Sequence, residues 1–245
     1  RKGDVVTGQV RQAREGEKRE KFNALVIGST GSIGQAFIEH LNKLSNCSKV
    51  IGLSRQSTPS IDYANPDSIQ AAADALSHEG PFHLIIVATG ILHTDAWLPE
   101  KKLSDLHEAQ FIQTMQLNAL GPGMCLQSFA PLLDSEFGVM ACLSAKVGSI
   151  EDNRLGGWYS YRASKAALNM LIKTASIEQK RTRPNHCLLA LHPGTVASAL
   201  SRPFKGDQIG RTPHDATFDM LQVLLNVNAS DSGKFLSYQG EEIPW

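Results

Sequence analysis

Six short runs of apolar or β-branched residues, at 24–29, 49–54, 82–89, 138–143, 187–192 and 233–238, alternate along this chain with stretches of helical periodicity at 33–45, 67–78, 103–133, 158–179 and 213–226. Strands that alternate with helices pair in parallel, and right-handed crossovers then lay helices on both faces of one sheet. The predicted fold is α/β: a single Rossmann-type, doubly wound parallel sheet, with a further short strand near 60–62. At 245 residues and 42% hydrophobic content the chain can bury one full core. It contains no Pro/Gly/Ser-rich linker, low-complexity tract or internal repeat, so residues 22–245 read as one domain.

The first run leads through Gly28, Ser29, Thr30, Gly31, Ser32, Ile33 and Gly34 into a helix start. A strand, a glycine turn and a helix N-terminus in that order offer free backbone N–H groups and the positive helix end to a pyrophosphate, and glycine lets the backbone come close. A dinucleotide site is therefore expected. The second run ends at Arg55, where the adenosine ribose of such a ligand lies. An arginine there suits a 2′-phosphate, whereas an acidic residue would suit the free hydroxyl, so NADP(H) is favoured over NAD(H). Asp62 is placed either to accept from the adenine amino group or to shape a turn.

Tyr161 and Lys165 stand four apart on the predicted helix 158–179, hence on one face. A nearby ammonium favours phenolate, which predicts a Tyr161 pKa drawn down from about 10 toward the range of an acid–base catalyst. A carbonyl reductase needs such a group.

Composition closes off other classes. The formal net charge is zero, which gives no sequence-wide attraction to nucleic acid or to an anionic membrane. No run approaches the roughly 20 apolar residues of a membrane-spanning helix. The cysteines at 47, 125, 142 and 187 lack metal-ligand spacing and read as reduced thiols of a cytoplasmic protein. His83, His93 and His107 likewise form no metal set, and no metal is expected. Residues 1–21 hold seven Lys/Arg and four Asp/Glu with few apolar residues, and read as a disordered tail. They lack the apolar core of a secretory signal, and their acidic residues disfavour a mitochondrial presequence.

With the glycine turn from Gly28 to Gly34, Asn118, the Tyr161-x-x-x-Lys165 pair and Pro193-Gly-Thr-Val196 in this order, the chain resembles the short-chain dehydrogenase/reductases over 22–245. Ala88-Thr-Gly90, Gly156-Gly157 and the ending Gly240-Glu-Glu-Ile-Pro-Trp245 are most similar to the compact C-factor-like and sniffer-like carbonyl reductases. The resemblance implies Tyr161 as general acid or base, with Lys165 lowering its pKa and holding the nicotinamide ribose. It implies that Asn118 binds a water passing protons to Lys165; burial against a backbone carbonyl is the plain alternative. Further cofactor contacts are implied at Ala88, Thr89, Gly90, Pro193, Gly194 and Val196. A small-molecule carbonyl or alcohol substrate would be gripped by the loop 197–212, in a homodimer or homotetramer built on the long helices. Trp245 is expected to fold back near the substrate cleft or an interface.

The chain departs from that family's pattern in two places that bear on chemistry. Its glycines run Gly28-x-x-Gly31-x-x-Gly34, with Ser32 where the middle glycine of the compact family falls. Ala145 stands where the family has a serine bonding the substrate carbonyl. Strand neighbours point to opposite faces, so Ser144 reaches the substrate only through a local bulge; Ser149 is a second candidate, and no serine at all a third. Two functions follow. Tyr161, Lys165, Asn118 and Ser144 speak for NAD(P)(H)-dependent hydride transfer; Ala145 speaks for a nucleotide-binding signalling or regulatory protein of C-factor type with little turnover.

Overall fold

A computed structural model describes residues 21–245; apart from Lys21, the tail predicted over 1–21 lies outside the described residues. Six strands, β1 (Phe22–Ile27), β2 (Cys47–Leu53), β3 (Leu84–Val87), β4 (Gly138–Leu143), β5 (His186–His192) and β6 (Phe235–Ser237), form one sheet in the order β2-β1-β3-β4-β5-β6. All neighbours pair in parallel. The helices between them are α1 (Ser32–Lys43), α2 (Asp67–Ala75), α3 (Glu108–Met115), α4 (Gly121–Phe129), α5 (Tyr159–Thr182), the single turn α6 (Gly206–Ile209) and α7 (Pro213–Leu224).

Every strand but the edge strand β2 is buried on both faces, and alternate side chains serve different helices. Leu25, Ile27, Ile85, Val87 and Met140 lie under α2, α4 and α5, against Ile69, Phe129, Leu168 and Ile172. Ala24, Val26, Leu84, Ile86 and Val139 face α1 and α7, against Phe37, Leu41, Met220 and Leu224. Each fully buried Phe, Leu, Ile or Met side chain contributes roughly 1.5–3 kcal/mol. The strand order reverses at β1, whose chain proceeds to β2 on one side and to β3 on the other. Such a reversal opens a crevice at the carboxyl ends of the strands.

Two predicted elements differ. The strand expected near 60–62 is a lone bridge between Asp62 and Asn65. Asp62 Oδ1 accepts from the Ala64 amide at 3.0 Å, and the Ser68 hydroxyl bonds the Asp62 amide and carbonyl. These local bonds occupy the groups that a ladder would need. The single helix expected over 103–133 is broken into α3 and α4 by one π-helical turn at Gln116–Leu120. Pro122, just past that turn, has no N–H to continue an α-helical ladder. A Cβ on Gly121 would enter the Tyr63 ring, so the break also seats Tyr63.

The chain end returns along β6. Leu236 and Glu242 form an antiparallel bridge, the Ser237 amide donates to Glu241 O at 2.8 Å, and the Ile243 amide donates to Phe235 O at 2.7 Å. Trp245 stacks on Phe235 at 5.7 Å, with the Lys173 ammonium 5.9 Å from its ring centroid. Its carbonyl accepts from the Ser149 hydroxyl and the Glu151 amide. Trp245 therefore props the loop after β4 from the core side and does not enter the cleft described next. Among the described residues no helix is long and apolar enough to cross a membrane.

Candidate active site

The crevice beside β1 widens into a cavity of about 490 Å³ whose lining includes Gly28, Thr30, Gly31, Arg55, Asp62 and Ala88 to Gly90. Gly28 has φ +91°, and a Cβ on it would come within 2.8 Å of the Ala88 carbonyl. A Cβ on Gly34 would overlap the Gly28 carbonyl, whereas one on Gly31 meets nothing nearer than 3.5 Å. The outer two glycines are thus fixed by sterics. Gly31 caps α1 without a side-chain bond, and the first turn holds no acidic residue, so its amides stay available and its end positive. This donor set fits a dinucleotide pyrophosphate.

Ser29 does not line this cavity. Its amide donates to Leu53 O at 3.0 Å, and its side chain lies over Gly52 of β2. Arg55 stands exposed at the rim. Asp62 closes the Ala64 turn, as one of its two sequence readings has it, and also lines the cavity. Tyr63 was not singled out by the sequence, since no spacing marks it. Its hydroxyl shares a hydrogen bond with Thr89 Oγ1 at 2.9 Å and another with Cys125 at 3.4 Å, and burial pushes its pKa well above the usual value. It is a neutral phenol beneath the nucleotide cleft, and it occupies the Thr89 hydroxyl expected to meet a cofactor.

A second cavity of about 250 Å³ shares Gly31, Ala88, Thr89 and Gly90 with the first and adds Ser32, Ile33, Ser144, Tyr161, Lys165 and Pro193. Tyr161 and Lys165 are both buried on α5, with the ammonium 5.8 Å from the phenol ring centroid. Lys165 donates to Leu143 O at 3.0 Å, and a Cβ on Gly90 would stand 3.3 Å from its nitrogen. The predicted pair is present, but the predicted direction of its pKa shift is not. Burial pushes the Tyr161 phenol above its usual range and pulls Lys165 down to about 8. Desolvation is the largest cause of both shifts, and the phenol keeps its proton.

Three other predicted site residues have defined partners in the protein. Asn118 sits in the π-helical turn, where its Oδ1 accepts from the Ile91 amide at 2.7 Å and its Nδ2 donates to Ile91 O at 2.8 Å and to Ser164 Oγ at 3.1 Å. One amide hydrogen thus clamps the segment after β3 and the other ties the π-helical turn to Ser164 of α5, the burial against a backbone carbonyl that the sequence also allowed. The Ser144 hydroxyl donates to Asn169 Oδ1 at 2.6 Å, as alternation along β4 dictates. Ser149 bonds Trp245 O. Ser144 lines the cavity beside Tyr161 with its hydroxyl engaged by Asn169, Ser149 lies outside it, and Ala145 packs against Tyr161.

The ends of β4 and β5 are held together by His192, whose Nδ1 accepts from the Lys146 amide at 3.1 Å; burial pulls this imidazole down to about 4, so it is neutral. Gly194 has φ +75°, and a Cβ there would strike the Tyr238 ring, over which the Arg211 guanidinium lies at 4.7 Å. Val196 is buried in the α1/α7 core and offers the cleft no side chain. On the outer side, Leu92, Ala145 and Tyr161 pack with Val147, Trp158, Leu200 and Phe204. Trp158 meets Phe204 at 5.0 Å and Tyr161 edge-on at 6.0 Å, which makes this wall apolar and aromatic. All four cysteines are free, and burial pushes Cys125 and Cys187 up to about 12, so they are inert thiols. Among the described residues no three His, Cys, Asp or Glu side chains are grouped to hold a metal ion.

The sequence profile of the family described as short chain dehydrogenase matches residues 23–208. The 1-hydroxy-2-glutathionyl-2-methyl-3-butene dehydrogenase of Rhodococcus sp. (strain AD45) is 30% identical over 188 residues, which cover 76% of this chain and 79% of that protein. The C-signal protein of Myxococcus xanthus is 34% identical over 168 residues, 68% of this chain and 94% of that protein. Among solved structures, the carbonyl reductase Sniffer of D. melanogaster aligns over 92% of this chain and 100% of its own, with a TM-score of 0.79 and 20% identity. The NADPH-bound carbonyl reductase from chicken fatty liver aligns over 92% and 95%, with a TM-score of 0.78 and 25% identity.

Proposed function

This chain belongs to the short-chain dehydrogenase family, and on that footing we propose that it is an NADPH-dependent carbonyl reductase, reversible on secondary alcohols. The observation that carries the proposal is the buried Tyr161–Lys165 pair at the inner end of a cleft that continues into a glycine-floored nucleotide crevice. The start of α1 with Thr30 and Gly31 would hold the pyrophosphate, Arg55 the 2′-phosphate and Asp62 the adenine amino group. Lys165 would hold the nicotinamide ribose, with Pro193, Gly194 and the Val196 backbone flanking the ring. Bound there, the cofactor supplies a hydride to a carbonyl carbon. Tyr161 gives its hydroxyl proton to the carbonyl oxygen, and takes it back in the oxidative direction. Lys165, at about 8, can return a proton near neutral pH.

The test is loss of the near-ultraviolet absorbance of reduced nicotinamide, with NADPH and then NADH, against small aldehydes, diketones and ketones. Turnover with NADPH is the expected outcome. The apolar wall of Trp158, Phe204 and Leu200 supports substrates with apolar flanks. Arg55→Ala is expected to raise the KM for NADPH about ten- to a hundredfold, the loss of one charge-assisted contact, and to leave that for NADH unchanged. An equal effect on both cofactors would remove the 2′-phosphate assignment.

Ala145 favours a second reading, a nucleotide-binding regulatory protein like the C-signal relative, because a methyl group stands where a carbonyl-bonding serine is expected and the neighbouring Ser144 hydroxyl is bonded to Asn169. Cofactor binding without turnover on any substrate would select it. A single donor aimed at the developing oxyanion is worth about 10²–10³ in rate. Ala145→Ser, lacking a preorganised partner, should recover a fraction of that, about a tenfold rise in kcat. A fall in kcat would mean that the site requires the methyl group.

A homodimer or homotetramer is supported by Ile112, Leu120, Met170, Leu171 and Ile177, which are exposed on α3, the π-helical turn and α5. A monomer mass by light scattering would remove this claim. The four free thiols support a reducing compartment such as the cytoplasm.

A further inference from the structure

The first turn of α5 carries Tyr161, yet no side chain of that helix caps it. The capping position belongs to Trp158, which lies in the left-handed region at φ 53° and spends its ring on Tyr161 and Phe204. Serine, threonine, aspartate or asparagine would ordinarily stand there and accept from the first amides. Here the acceptor comes from Glu100, which is 3% exposed. One carboxylate oxygen accepts from the Ser160 amide at 3.2 Å and the other from the Ser160 hydroxyl. The Glu100 backbone carbonyl accepts from the Trp158 amide at 2.6 Å. From the opposite side, Arg162 donates to the carbonyls of Gly156, Gly157 and Val147.

A buried carboxylate is costly to keep, and a local cap could have been had without one. What the distant cap permits is an aromatic side chain at the capping position, facing the substrate side. Two oxygens that accept from the Ser160 amide and hydroxyl satisfy the first turn of the helix in place of a local cap. Resting on the oxidoreductase reading above, we propose that Glu100 is a positioning residue: by capping α5 one residue ahead of Tyr161, it sets the phenol against Lys165 and Trp158 against Phe204.

The test compares Glu100→Ala, Glu100→Gln and Ser160→Ala with the parent chain, reading kcat, KM, NADPH affinity and melting temperature. It also follows the Trp158 fluorine resonance in fluorotryptophan-labelled protein, assigned by Trp158→Phe. Glu100→Ala is expected to lower kcat by at least about tenfold, as small misplacements of a reacting group do, with NADPH affinity unchanged. Ser160→Ala should show part of that loss, and Glu100→Gln, which keeps one acceptor and the shape, should restore most of the rate. The Trp158 resonance should move in Glu100→Ala and stay near its parent position in Glu100→Gln. A parental kcat in folded Glu100→Ala overturns the proposal, as does a loss of kcat that tracks a parallel loss of NADPH affinity and folded fraction. Should Glu100→Ala not fold, a Ser160→Ala variant with parental kcat and an unmoved resonance overturns it equally. The fluorine readout needs no turnover, so an inactive parent would sink the oxidoreductase reading while an unmoved resonance would sink this one.

Discussion

Tyr161→Phe is expected to bind NADPH as the parent chain does and to reduce carbonyls about 10²–10⁴-fold more slowly. The substitution removes one oxygen and keeps the ring that packs on Leu92 and Ala145, so the fold has nothing to lose. Burial holds the proton on this phenol, and the Ser144 and Ser149 hydroxyls are engaged by Asn169 and Trp245. The loss should therefore fall toward the upper end of the range. The measurement is single-turnover reduction with saturating NADPH alongside quenching of NADPH fluorescence. A rate within a few fold of the parent would remove Tyr161 as the acid and reopen the regulatory reading.

Gly34→Ala is expected to abolish NADPH binding over the concentrations that saturate the parent, and to lower stability by about 1–3 kcal/mol. The new methyl would overlap the Gly28 carbonyl, and relief requires α1 to move off the turn. That helix supplies Phe37 and Leu41 to the core and its N-terminus to the crevice, so one displacement harms both folding and binding. Gly31→Ala supplies the contrast, because its methyl meets nothing closer than 3.5 Å and should leave the melting temperature at the parent value. Thermal denaturation and titration with NADPH decide both. Equal melting temperatures for the two variants would show that the overlap at Gly34 relaxes without cost.

Those two glycines also show what the sequence could and could not disclose. The turn was legible because strand, glycine and helix start follow one another locally, and the steric reason for its unusual spacing emerged once Ala88 was seen across from Gly28. The strands were legible because burial on both faces leaves continuous apolar runs such as Leu84–Val87. The strand expected near 60–62 is absent because the Asp62 and Ser68 side chains compete for the backbone at short range. The long helix before β4 was read as continuous because its apolar period survives the π-helical turn that places Asn118. Tyr161 and Lys165 lie within one helical turn and were found by spacing alone, yet their pKa directions depend on burial, which spacing does not encode. Alternation along β4 turns Ser144 toward α5, where Asn169 takes its hydroxyl, a partner that no spacing in the sequence marks. Glu100, Trp158 and Phe204 come from three distant segments, and no local pattern joins them.

The short hairpin at the chain end also guards the sheet. A last strand leaves a row of unpaired N–H and C=O groups along its outer side, and such a row invites another chain to add itself. Here the return from Glu241 to Ile243 takes those groups at Phe235 and Ser237. Those groups of β6 are therefore not free to template the addition of another strand.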